Sequence, residues 1–313
     1  MSAAVVGPLE PMPAPAADAK AGKKGGWFVR ITIVAVVALW TIPTLGVLIS
    51  SFRPEELVNS TGWWTSLAHP FRGAEWTLEN YRSALTNGGF GNAFLNSMAV
   101  AVPSTVIPVT VAAFAAYAFS WMDFRGRHLM FVLVVGLMVV PLQMALIPIL
   151  RLYTGGGTLG GVTLIPDLNL SGTFLGVWLA HTGFGLPLAV YLLRNYIGSL
   201  PSSIIESARI DGADHFTIFW RLIIPLSVPA LAAFAIFQFL WVWNDLLIAY
   251  VFLGGSHENR VLTIALADLV GSRGENWHLL TSAAFLSMAL PLAVFFSLQR
   301  YFVRGLTAGS VKG

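Results

Sequence analysis

Charged residues interrupt this chain at long intervals, and the uncharged stretches between them predict its architecture. Ile31 to Phe52 runs for 22 residues without Asp, Glu, Lys or Arg, and Ser83 to Met122 for 40, of which Phe94 to Trp121 reads as the span. His128 to Leu150 carries FVLVVGLMVVPLQMALIPIL, while Leu168–Leu193, Leu222–Asn244 and Leu279–Gln299 give 26, 23 and 21 residues. A hydrocarbon core about 30 Å thick takes roughly 20 helical residues at 1.5 Å each. No period-2 alternation of the kind a membrane barrel needs runs through these stretches, so they predict six spanning helices.

Prolines fall inside them at positions 43, 103, 108, 141, 148, 187, 229 and 291. Each would cost about 3 kcal/mol in an isolated soluble helix. In a bundle, neighbouring helices satisfy the freed carbonyls, so the prolines read either as packing kinks or as hinges in a moving pathway. With both termini on the cytoplasmic side, the inner segments hold 12 of the 18 Lys and Arg residues and the outer ones 6. The positive-inside rule favours that orientation.

Composition agrees with a lipid environment. Of 313 residues, 56% are hydrophobic and 11% charged, against about 25% charged in soluble domains. A soluble enzyme is excluded. With no Cys there is no disulfide, thiolate metal site or cysteine nucleophile. A net charge of +3, spread along the whole chain, does not make a nucleic-acid surface. Residues 1–26, rich in Ala and Pro and ending in KAGKKGG, read as a flexible cytoplasmic leader, and residues 27–313 as one six-helix membrane domain. The first span is long for a signal-peptide core and is expected to be retained. No G-x-x-x-x-G-K-[ST] phosphate loop is present, so any ATP-driven work needs another chain. Nor is there a catalytic set, a metal-binding spacing or a cofactor motif. His181 and His278 read as packing residues.

Most connections are what a bundle needs: an outer segment from Arg53 to Gly91 with a Trp63–Trp64 pair, a short inner turn at Asp123–Arg127, a Gly-rich stretch at 151–167 and a polar one at 253–276. The inner segment from Arg194 to Arg221 is different. Ser203 stands three residues before Glu206, the spacing of a capping box, and predicts a short helix from about Ile204 to Asp211. Gly212 is placed as its left-handed C-terminal residue, and Asp214 can cap a second short helix through Phe216 and Phe219. Ile204, Ile205 and Ala208 form an apolar side, with Glu206 and Arg209 on another. A helix–turn–helix of this kind suits docking into a partner's groove, and it equally suits a plain surface loop whose Glu206 caps a helix.

The segment ESARIDGADHFTIFWRLIIP resembles the E-A-A-x-x-x-G-x9-I-x-L-P signature of binding-protein-dependent ABC importer permeases. Glu206, Ala208 and Gly212 match, nine residues separate Gly212 from Leu222, and Leu222 to Pro225 stand for I-x-L-P. Ser207 replaces the second position with another small residue. Ile210–Ala213 (IDGA), the run LIIPLSVP and WNDLL at 243–247 resemble the carbohydrate branch. The stretch from Gly305 to Gly313, GLTAGSVKG, is similar to the tail of the maltose-type second permease. Thr77–Tyr81 (TLENY) and Asn96–Ser97 are also typical of it.

The resemblance implies an all-α, type I permease fold in a bacterial or archaeal cell membrane. Its partners would be a second homologous permease, two ATPase subunits and an extracytoplasmic sugar-binding protein. ATPase coupling would fall to Glu206, Ser207, Ala208, Asp211, Gly212, Ala213 and Pro225. The tail residues Gly305, Leu306, Thr307, Gly309, Val311 and Lys312, in a cytoplasmic segment 300–313, would reach between the ATPases. An α-glucoside or maltose-like oligosaccharide is the expected cargo, with glycerol-phosphate or a monosaccharide as alternatives. A secondary transporter is the competing class, but it would need mid-span coupling carboxylates and a repeated half.

Aromatic faces beside amides and carboxylates suit sugar rings. Gln238, Trp241, Trp243, Asn244 and Asp245 are therefore candidates for the translocation lining, and a Trp belt with an interfacial acid is the structural alternative. Gln143 and Asn96 carry the same ambiguity.

Overall fold

The computed structural model describes residues 26–86, 89–256, 258–270 and 276–307, with the side chains of Leu159 and residues 300–307 left aside. The leader falls almost wholly outside these residues, as do Gly309, Val311 and Lys312. Among the described residues, five helical stretches are long and apolar enough to cross a membrane: Trp27–Ser51, Phe90–Trp121, Phe174–Ile197, His215–Trp243 and Trp277–Gln299. The expected sixth span, His128–Leu150, is not one helix. It is a pair of helices bent by 105°.

The first helix, α1 (Trp27–Ser51), keeps Pro43 inside it, and from Trp27 to Leu39 it exposes almost every large apolar side chain. At 25 residues it is about 37 Å long, enough for the hydrocarbon core.

The segment from Phe52 to Thr86 folds into α2 (Glu55–Ser60), α3 (Thr65–Ala68) and α4 (Glu79–Thr86). Arg53 is buried at its centre, bonded to the Thr61 and Thr65 hydroxyls, and burial lowers its pKa. Asn80 Nδ2 donates to the Ser51 and Arg53 carbonyls at 3.0 and 2.8 Å. A stretch whose charges were mixed is therefore a folded cap.

Two abutting helices, α5 (Phe90–Ala101) and α6 (Pro103–Trp121), form the next crossing; Pro103 at their junction lacks an N–H, and the carbonyl this frees, Ala99 O, accepts a side-chain donor instead. Helix α9 (Phe174–Ile197) packs closely on α6, and the two run parallel. Indole donors tie α9 to this crossing at both ends: Trp178 Nε1 to Ala99 O of α5 at 2.8 Å, and Trp121 Nε1 of α6 to Ile197 O at 3.1 Å. Because α6 ends beside the end of α9, the intervening chain must travel back along the bundle. The bent pair makes that journey, as α7 (Arg127–Gly136), a 3-10 turn at Leu137–Val139, and α8 (Leu142–Gly155). It arrives where Tyr153 Oη donates to Gly176 O near the start of α9. The break falls before Pro141, which has no N–H and drives Val140 to extended backbone. A small antiparallel hairpin, β1 (Gly157–Leu159) and β2 (Val162–Ile165), fills part of the Gly-rich stretch.

The inner segment gives α10 (Ser202–Ile210) and α11 (His215–Ile218). A π turn at Phe219–Ile223 carries α11 straight into α12 (Ile224–Trp243). The second short helix is thus the first turn of the fifth crossing, not a separate surface element. Two further helices follow, α13 (Leu247–Leu253) just ahead of the expected polar stretch and α14 (Leu262–Val270) within it, before α15 (Trp277–Thr307) returns along α12. Backbone helix continues through Thr307, eight residues beyond the Gln299 end of the apolar stretch.

Two buried clusters hold the bundle together. One gathers Val100, Tyr153, Val177, Val242, Trp243, Ile248 and Phe252 towards the α9 N-terminus. The other gathers Ala112, Ala116, Tyr117, Leu193, Ile197, Ile205, Ile218 and Phe219 around the α10–α11 loop.

Candidate functional site

The α10–α11 loop is built almost entirely from local bonds. Pro201 precedes α10 and fixes an extended backbone there, so the helix begins at Ser202. The expected capping box does not form: Ser203 lies inside the helix, and no side chain caps the N-terminus. At the other end the expectation holds. Gly212 has φ +81°, the Ala213 N–H donates to Ala208 O at 2.9 Å, and the Gly212 N–H donates to Arg209 O at 3.0 Å. This is a Schellman turn, and the half-buried Ala208 and Ala213 supply its usual apolar contact. Asp214 Oδ1 accepts the Thr217 N–H at 2.8 Å and caps α11; the bonds to Thr217 also hold the Asp214 carboxyl below its usual pKa.

Burial divides the loop in two. Ile205 is buried and Ala208 half-buried against the bundle, while Glu206, Ser207, Asp211 and Gly212 face outward. Ile210 and Phe216 are 86% and 68% exposed, so the outward surface joins two large apolar side chains to two carboxylates. Pro225 lies in the first turn of α12, just past the π turn, where its missing N–H leaves a carbonyl of that turn without its helical partner.

Contacts that the sequence did not reveal hold this loop to the bundle. Arg209 Nη2 donates to Trp121 O at 2.9 Å, and the Tyr117 hydroxyl lies 2.8 Å from His215 Nδ1. Nearby, Arg194 of α9 stacks over Phe131 of α7 at 4.9 Å.

The five lining candidates separate. Gln238 is buried, with its Nε2 on Ser104 O at 3.1 Å and its amide packed where Gly185 has no side chain. Trp243 is buried too, stacked on Phe239, with Nε1 donating to Ser287 O at 3.1 Å. Both belong to the interior of the subunit, which corrects their placement on a lining. Trp241, Asn244 and Asp245 keep some exposure. Asp245 Oδ2 accepts the Ala249 N–H at 3.0 Å, capping α13, and lies 3.7 Å from Nε2 of the fully buried His181. His181 in turn meets Trp241 edge-on at 5.3 Å. Asn96 Nδ2 donates to the Glu258 and Arg260 carbonyls and Ser97 Oγ accepts the Leu262 N–H, so this pair pins the segment leading into α14. Among the described residues, no cluster of three or more His, Asp or Glu could hold a metal ion.

Comparison with known proteins follows the same lines. The profile of the family described as "Binding-protein-dependent transport system inner membrane component" matches residues 108–308, which include the whole α10–α11 loop. The osmoprotective compounds uptake permease protein GgtD of Synechocystis sp. is 58% identical over 91% of this chain and 91% of its own length. The alpha-glucoside transport system permease protein AglG of Rhizobium meliloti is 44% identical over 92% of this chain and 97% of its own. A chain in the crystal structure of a bacterial ABC transporter that imports the acidic polysaccharide alginate has the same fold, with a TM-score of 0.67, at 21% identity over 88% of this chain and 95% of that one. The chain belongs to the binding-protein-dependent transport system inner membrane components, and is an integral membrane permease of an ABC importer in the branch that holds the carbohydrate permeases.

Proposed function

We propose that this permease pairs with a second, homologous permease to enclose the path of an α-glucoside or maltose-like oligosaccharide. Two ATPase subunits dock on the α10–α11 loop, and an extracytoplasmic binding protein delivers the sugar at the opposite end of the bundle. The observation that carries the docking role is the loop itself. A Schellman turn and a capped α11 give it a fixed shape, while Glu206, Ile210, Asp211 and Phe216 face outward. A surface that is rigid, acidic and apolar suits a groove with a basic rim. Ser207 and Ala208 keep the helix narrow, Gly212 and Ala213 make the turn, and Pro225 starts the helix that receives the motion. Trp241, Asn244 and Asp245 remain the candidates for contact with the sugar. Both termini lie in the cytoplasm, and Gly305, Leu306, Thr307, Gly309, Val311 and Lys312 contact the ATPases. A reporter fused at Gly313 that registers an extracytoplasmic location would overturn that topology.

For the cargo, the alpha-glucoside permease at 44% identity supports an α-glucoside, whereas the osmoprotective compounds uptake permease at 58% supports an osmoprotective compound. Calorimetry on the partner binding protein separates them, with a panel of maltose, trehalose, sucrose, glucose, glycerol 3-phosphate and glycine betaine. Binding of maltose or another α-glucoside alone is expected; binding of glycine betaine alone would replace the sugar reading.

A further inference from the structure

Three contacts join the α10–α11 loop to a helix that the chain does not place next to it. The loop follows α9 and precedes α12, so the backbone passes any displacement to those two helices. Helix α6 is reached only through side chains. Arg209 Nη2 donates to Trp121 O, the last residue of α6. The final carbonyls of a helix have no N–H of their own to accept, and they form the negative end of its dipole, so a guanidinium is well matched there. One turn earlier the Tyr117 hydroxyl meets His215 Nδ1 at 2.8 Å. A turn before that, Phe114 stacks on Phe219 with ring centroids 4.5 Å apart.

The spacing of these residues is informative. Positions 114, 117 and 121 differ by three and four, so they share one face of α6. Their partners, 219, 215 and 209, lie on both sides of the Gly212 turn, so both arms of the loop are held. The stacked pair resists separation, and the two directional bonds fix register along the helix. None of the three is needed for the loop's own shape, since the Schellman bonds and the Asp214 cap lie entirely within residues 208–217.

We propose that this face of α6 is a latch that makes α6 and the docking loop move as one body, with Arg209 and Tyr117 as positioning residues. It rests on the reading of the loop as the ATPase dock. Motion imposed on the loop is then delivered directly to α6, and α6 carries it up to Ser104, whose carbonyl accepts from Gln238 of α12.

The absence of native cysteine makes the test direct, because two introduced cysteines are the only labelling sites in this chain. Spin labels at the exposed Thr110 of α6 and Ser203 of α10 report the latch, and labels at Ser203 and Trp64 of the cap report motion of the loop. Distances are read by pulsed electron paramagnetic resonance in the complete transporter, nucleotide-free and ATP-bound. In the wild-type background ATP changes the Ser203–Trp64 distance and leaves Thr110–Ser203 constant. In Arg209→Ala combined with Tyr117→Phe, ATP shifts Thr110–Ser203 by at least about 2 Å, the scale of helix displacements in switching proteins. Arg209→Lys with native Tyr117, which keeps a donor, restores the constant distance. An ATP-dependent Thr110–Ser203 change in the wild type, an immobile loop, or an unchanged distance in the double variant overturns the proposal. Loss of the ATPases from Arg209→Ala would make Arg209 a docking contact and also end it. Gly212→Val tests the underlying reading separately: if that variant loses the ATPases while the double variant keeps wild-type distances, only the latch fails.

Discussion

Substitution at Gly212 offers a test in which backbone conformation is the only thing changed. At φ +81° the residue sits in the left-handed region, and a β-carbon built there meets nothing within 4 Å. The penalty for Gly212→Ala is therefore conformational and not steric, about 1–2 kcal/mol. That energy corresponds to a factor of roughly 5–30 in the population of the formed turn. Val, branched at Cβ, pays more. The bundle should insert and pack normally, because the turn is exposed and the buried Ile205 and Ile218 are untouched. Asn adopts the left-handed conformation more readily than other non-glycine residues and is the conservative rescue.

Gly126, at φ +82° and equally open, carries the same backbone cost at the start of α7 and serves as the control. ATPase retained on an affinity-purified permease complex, titrated against salt, reads out docking; uptake of the sugar selected by the binding panel reads out transport. Expected retention falls in the order wild type, Asn, Ala, Val at position 212, with Gly126→Ala at the wild-type level. Equal losses from Gly212→Ala and Gly126→Ala would refute the reasoning, as would normal docking and uptake in Gly212→Val.

Three further outcomes follow from the same structure and sequence. The purified chain alone should neither bind nor hydrolyse ATP, since no phosphate-cradling loop is present; filter binding and a phosphate-release assay check this. Gly185→Ala should lower thermal stability in detergent by about 1–3 kcal/mol, because its new β-carbon would lie 2.7 Å from the buried Gln238 amide; an unchanged melting curve would show that the amide moves freely. Removing residues 305–313 should reduce uptake while a protease-protection assay still finds the spans inserted, and full uptake by the stable truncated protein would deny the tail a role.

Five of the six predicted crossings were legible because lipid demands long uncharged runs, and the Gly212 turn because only glycine takes that conformation cheaply. What escaped had physical causes. The capping box failed by two residues of phase: the N-cap position falls on Pro201 and the helix starts at Ser202, which leaves Ser203 inside it. Helices α13 and α14 were hidden because each is too short to span, and because Asp245, read as a polar site, spends an oxygen capping α13. Gln238 and Trp243 were assigned to a lining because α12 is apolar all round, so its pattern does not say which side faces the interior. The latch contacts join residues 88 and 98 positions apart, a distance over which a single sequence carries no signal.

The broken crossing bears on how long this subunit survives by itself. Between α7 and α8 the chain turns by 105° about halfway along the bundle, and Val139 and Val140 are 82% and 52% exposed there. Interrupted backbone is tolerated at membrane depth only where protein or water covers it, because lipid accepts no hydrogen bonds. If a partner subunit covers this break, the lone subunit is the less stable form in lipid, and the bend between α7 and α8 is where it would open first.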